Sequence, residues 1–101
     1  MKKINVKKLV LSLIKDDLIN SKLVYSLNEI GLNADNYFLH LSDTIFNLLG
    51  YEDNKETEEI FKRYLQLSKH AMFVDLSQSD KPMDDLALQI YNELSARKPG
   101  N

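Results

Sequence analysis

A chain of 101 residues, 44% hydrophobic and 28% charged, is sized for one globular domain spanning residues 1–101 and is not composed like a disordered segment. Its net charge is −2 and neither half carries a strong basic excess, so the electrostatic footprint of a nucleic-acid binder is missing. The absence of cysteine excludes disulfides, thiolate chemistry and cysteine-ligated zinc or iron–sulfur centres.

Leucine dominates, while glycine occurs three times and proline twice. Few breakers and many leucines favour long helices, and the predicted fold class is all-α, a small bundle of four to five helices. Their predicted spans are 5–15, 17–30, 34–49, 55–77 and 82–97. The first opens on Asn5 as N-cap, and Val6, Leu9, Val10, Leu13 and Ile14 follow at helical spacing. Leu11 and Leu18 lie outside that stripe, so the apolar face is wide enough for two neighbours or a partner chain. Asp16, Asp17, Asn20 and Ser21 interrupt the stripe, and two aspartates oppose the macrodipole of a helix C-terminus. A break is therefore expected between Lys15 and Ser21. The second helix carries Leu23, Val24, Leu27 and Ile30 and stops at Gly31.

The third is expected between a cap at Asn33 and a stop at Gly50. Ala34, Tyr37, Phe38, Leu41, Ile45, Leu48 and Leu49 form its stripe, with Asn36, His40, Asp43 and Asn47 opposite. Asn54 caps the fourth, whose early turns hold Glu56, Glu58 and Glu59 as the dipole prefers. Its apolar set runs from Ile60 and Phe61 through Tyr64, Leu65, Leu67, Ala71 and Met72 to Val74 and Leu76. A strand over residues 71–76 is disfavoured by the helical context on both sides. The fifth begins near Pro82, with Met83, Leu86, Ala87, Ile90, Tyr91 and Leu94 as its stripe. Short connections predict that consecutive helices pack as antiparallel neighbours.

The basic stretch Met1 to Lys8 and the apolar run Leu9 to Ile14 resemble a leader only in outline. The run is short, charges close it, and no small-residue cleavage site follows. No stretch approaches the ~18 apolar residues of a membrane span, and a cytoplasmic location is expected.

Chemistry-bearing motifs are scarce. His40 and Asp43 stand three apart on one helix face, an arrangement that orients a general base or offers two metal ligands. No His-Glu-x-x-His motif adds a further ligand, and the pair reads first as a solvated polar face. Gly-x-Ser-x-Gly elbows and glycine-rich phosphate loops are absent, and no oxygen-ligand run has EF-hand spacing. The expectation is a protein that is not an enzyme, with no catalytic, cofactor-binding or metal residues and no cofactor. Leu23 to Asp43 has the outline of a helix-turn-helix, with Gly31 at the turn. Its would-be recognition helix holds carboxylates and no arginine to read bases, so a nucleic-acid-associated regulator stands only as an alternative. An enzyme centred on His40 and Asp43 is the other.

One face is anomalous. At about 100° per residue, Lys62, Arg63, Gln66, Lys69, His70 and Phe73 fall together, opposite the apolar stripe. A large aromatic among cations reads as a docking face, with Phe73 as anchor and the cations steering an acidic partner. Packing of Phe73 under the last helix, or a bend in its own helix, explains it without a partner. The function expected is a protein–protein interaction module, either homodimeric or bound to another protein, with no membrane association.

Overall fold

The computed structural model describes residues 5–32 and 39–97, and among these the chain is all-α. Helix α1 spans Val6–Glu29, α2 Leu39–Leu48, α3 Lys55–Ser68 and α4 Lys81–Arg97, with a 3-10 turn, Lys69–Phe73, directly after α3. The Asn33 cap and the first part of the predicted third helix lie outside the described residues.

The predicted break in α1 does not occur. Val10, Ile14, Asp17, Leu18, Ser21 and Val24 form one uninterrupted buried stripe through it. Asp17 and Ser21 therefore occupy core positions of a continuous helix and do not mark the start of a new one. Helix continuity survives because Asp17 is given a partner: the Tyr64 hydroxyl on α3 donates to its Oδ2. Lys15, two residues earlier, is drawn to α4 through Asp84 at 3.0 Å and Asp80 at 3.5 Å. The wide apolar face has the same explanation, since α1 packs against α4, α2 and the 3-10 turn at once. Its largest neighbour is α4, the last helix of the chain. Lys15 meets the start of α4 while the Lys7 ammonium lies over the Tyr91 ring, so the two run antiparallel.

The caps stand where the sequence places them. Asn5 Oδ1 accepts from the Lys8 amide at 3.1 Å, and Asn54 Oδ1 from the Thr57 amide at 2.9 Å. Gly31 and Gly50 adopt φ of +89° and +84°, the left-handed region where a Cβ is penalised. After each, the chain folds back by the same pair of bonds. Gly50 N–H donates to Asn47 and Tyr51 N–H to Phe46, while Gly31 N–H donates to Asn28 and Leu32 N–H to Leu27.

The predicted fourth helix is shorter than its 55–77 span. It ends at Ser68, tightens into the 3-10 turn and becomes extended at Val74, with φ −78° and ψ 127°. The cause lies on α1. The Lys22 ammonium donates to the carbonyl of Val74 at 2.7 Å and to that of Met72 at 3.4 Å, so these carbonyls point across to α1. Asp75 then accepts from the Ser77 amide and turns the chain toward α4. We expect Lys22→Met to cost about 1.5 kcal/mol, because it strands two half-buried carbonyls while keeping the side-chain volume. Chemical denaturation checks the loss, and faster amide exchange confined to residues 71–76 checks its location.

Candidate functional site: an acidic cleft with aromatic walls

Three elements build a cleft of about 520 Å³. Helix α2 contributes Asp43, Phe46 and Asn47, the following loop Tyr51, Glu52 and Asp53, and α3 Thr57, Glu58, Phe61 and Lys62. Gly50 is what brings them together. Its left-handed turn sends Tyr51 back over Phe46, with ring centroids 5.0 Å apart, and the Tyr51 hydroxyl donates to the Leu94 carbonyl on α4 at 2.5 Å. The loop is thereby anchored at a buried aromatic, while Glu52 and Asp53 stay exposed. Phe61 meets Phe46 edge-on at 5.5 Å, and Tyr64 meets it edge-on at 5.8 Å. The cleft's inner wall is thus one side of the aromatic core.

Its rim is negative. Among the described residues, Asp43, Glu52, Asp53 and Glu58 form no ion pair. The one cation lining the cleft, Lys62, pairs with Glu59 at 3.7 Å on the outer face of α3. Thr57 Oγ1 is buried and has no hydrogen-bond partner. No three His, Asp or Glu side chains among the described residues stand together as a metal site would need.

Asp43 is exposed and lines this cleft, on the α2 face assigned to polar residues. The side chain of His40, its predicted companion, lies outside the described residues. Phe46, which the stripe reading passed over, is 6% exposed and central to the aromatic cluster. Its position four residues after the buried Ser42 and three before Leu49 is the spacing that would have found it.

The predicted interaction face is exposed throughout, but its members do not act alike. Arg63 is turned onto α4, where its Nε donates to Glu93 at 2.8 Å, and Arg97 shares that carboxylate at 3.4 Å. Lys62 and Gln66 remain on the outer side of α3, and Lys69 opens the 3-10 turn. His70 and Phe73 belong to the 3-10 turn, and Phe73 is 81% exposed, so it does not pack under α4.

A second unusual group is interior. Asp17 and Tyr64 are 1% and 0% exposed, and neither Asp17 Oδ1 nor Ser21 Oγ, one turn further along α1, has a partner. Burial pushes the Asp17 carboxyl up to about 6, against which the Tyr64 hydrogen bond pulls it down. Burial, and then the neighbouring carboxylate, hold the Tyr64 phenol well above its ordinary range. The pair does not line the cleft and forms a buried polar joint between α1 and α3.

No family model, no curated protein and no solved structure matches this chain. No helix among the described residues is long and apolar enough to cross a membrane.

Proposed function

We propose that this chain is a helical protein-interaction module that engages its partner through Phe73. The observation that carries the reading is a rigidly presented aromatic. Phe73 is 81% exposed, yet the carbonyls on either side of it, Met72 and Val74, are both held by Lys22. Two residues before it, Ala71 is fully buried in the core. An exposed ring on an ordered backbone is a pre-organised anchor, because little conformational entropy remains to be lost on docking. Lys69 and His70 stand in the same turn, so the matching surface is an apolar pocket with an acidic edge. The partner is a second copy of the chain or another protein.

Photo-crosslinking tests this directly. A benzoylphenylalanine placed at position 73 should yield one discrete adduct, at twice 11.7 kDa for a second copy or at another defined mass for a different protein. The adduct should disappear when unlabelled protein competes and persist when it carries Phe73→Asp. No adduct in cell extract, together with a chain that stays monomeric at millimolar concentration, would remove the reading.

A further inference from the structure

We propose that the cleft between α2, its following loop and α3 binds a small organic cation, a protonated amine carried on an apolar body. This site lies at the opposite end of α3 from Phe73 and is independent of it.

The cavity sets the size. About 520 Å³ is the volume of a small-molecule pocket, larger than one ion and smaller than a folded partner's footprint. The walls set the body of the ligand. Phe46 and Tyr51 are buried behind the surface, and half-buried Phe61 lines the opening, so an apolar group entering the cleft meets aromatic carbon. The rim sets the charge. Asp43, Glu52, Asp53 and Glu58 come from three different elements, and none is neutralised by an ion pair among the described residues. An anion entering this cleft is repelled, whereas a cation gains both the carboxylate field and the aromatic quadrupoles. The distribution of the carboxylates sets the kind of cation. They are spread around the rim and do not converge as a metal's ligands do, which suits a charge attached to a bulky body.

Three probes of one shape separate charge from hydrophobicity: phenethylamine, phenylacetate and 2-phenylethanol, titrated against the full-length protein and followed by amide chemical shifts. The amine should shift the amides of Tyr51, Asp53, Thr57 and Phe61 along one saturable curve. The alcohol should bind at least about tenfold more weakly and the acid should not saturate. The double variant Asp53→Asn, Glu58→Gln should weaken the amine about tenfold while the protein stays folded, since both residues are exposed and Glu58 contributes to stability only through the helix dipole. Glu56→Gln, an exposed carboxylate of the same helix turn outside the cleft, should leave binding unchanged, as should Phe73→Ala. Equal binding of all three probes, no saturation by the amine, or an equal loss in Glu56→Gln would each overturn the proposal.

Discussion

Replacing Asp17 by Asn is expected to stabilise the protein by about 2–3 kcal/mol near pH 8 and to change little near pH 4. Asp17 is 1% exposed and its carboxyl is raised from 3.8 to about 6, chiefly by desolvation. The folded state therefore holds a proton that the unfolded chain releases between those two values. The stabilisation from that proton is complete below the unfolded value and is lost as pH rises through about 6. Above it, the folded protein carries a buried carboxylate with one hydrogen bond, from Tyr64, and an Oδ1 without any. At about 1.36 kcal/mol per pH unit, the interval corresponds to roughly 3 kcal/mol. Asparagine keeps an acceptor for Tyr64, removes the charge, and brings an amide donor to the side of α1 that carries the unpaired Ser21 hydroxyl. Tyr64→Phe should do the reverse, costing more near pH 8 than near pH 4, because it leaves the carboxylate with no donor. Urea unfolding of the three proteins across this range reads the effect. Parallel pH profiles for the wild type and Asp17→Asn would mean that Asp17 is solvated.

The same residue shows where sequence reasoning stops. Caps and stops are local, so Asn5, Asn54, Gly31 and Gly50 were legible from the residues alone, and the helix class followed from periodicity. A carboxylate in an apolar stripe, by contrast, is ambiguous. It reads as a helix break unless a donor waits across the core, and the donor here is 47 residues away in sequence. The stripe itself held the answer, since Val10, Ile14, Leu18, Ser21 and Val24 keep helical spacing through the polar positions. The end of α3 was hidden for a similar reason. No glycine or proline marks Ser68, and it is Lys22 of α1 that draws the Met72 and Val74 carbonyls away. The cleft was legible only in pieces. In the sequence Glu58 reads as a partner of its helix dipole and Asp43 as part of a polar helix face, and only the turn at Gly50 places Tyr51, Glu52 and Asp53 beside α3.

Phe46→Ala is expected to cost about 3–5 kcal/mol, the largest loss of any single change at the cleft. Phe46 is 6% exposed and touches three aromatic neighbours, Tyr51, Phe61 and Tyr64, at centroid distances of 5.0, 5.5 and 5.8 Å. Truncation removes the transfer energy of the ring, leaves a cavity that stiff aromatic neighbours fill poorly, and cancels three edge or tilted ring contacts. For a chain of this size such a loss exceeds about 12 °C in melting temperature, and thermal denaturation monitored by circular dichroism reads it. Phe46→Leu keeps part of the volume and should cost about half as much, leaving a folded protein for binding measurements. The location of Phe46 makes the pair informative. On one side its ring backs the cleft through Tyr51 and Phe61, and on the other it abuts Tyr64, which holds Asp17. Loosening this ring should therefore weaken amine binding in the cleft and also shift the pH at which Asp17 titrates. A simple loss of packing at an isolated position would leave the Asp17 titration where it was. Coupling between the two readouts in Phe46→Leu would show that the aromatic cluster joins the cleft to the buried acid, since Phe46 and Phe61 both line the cleft and both meet the Tyr64 ring, at 5.8 and 6.3 Å.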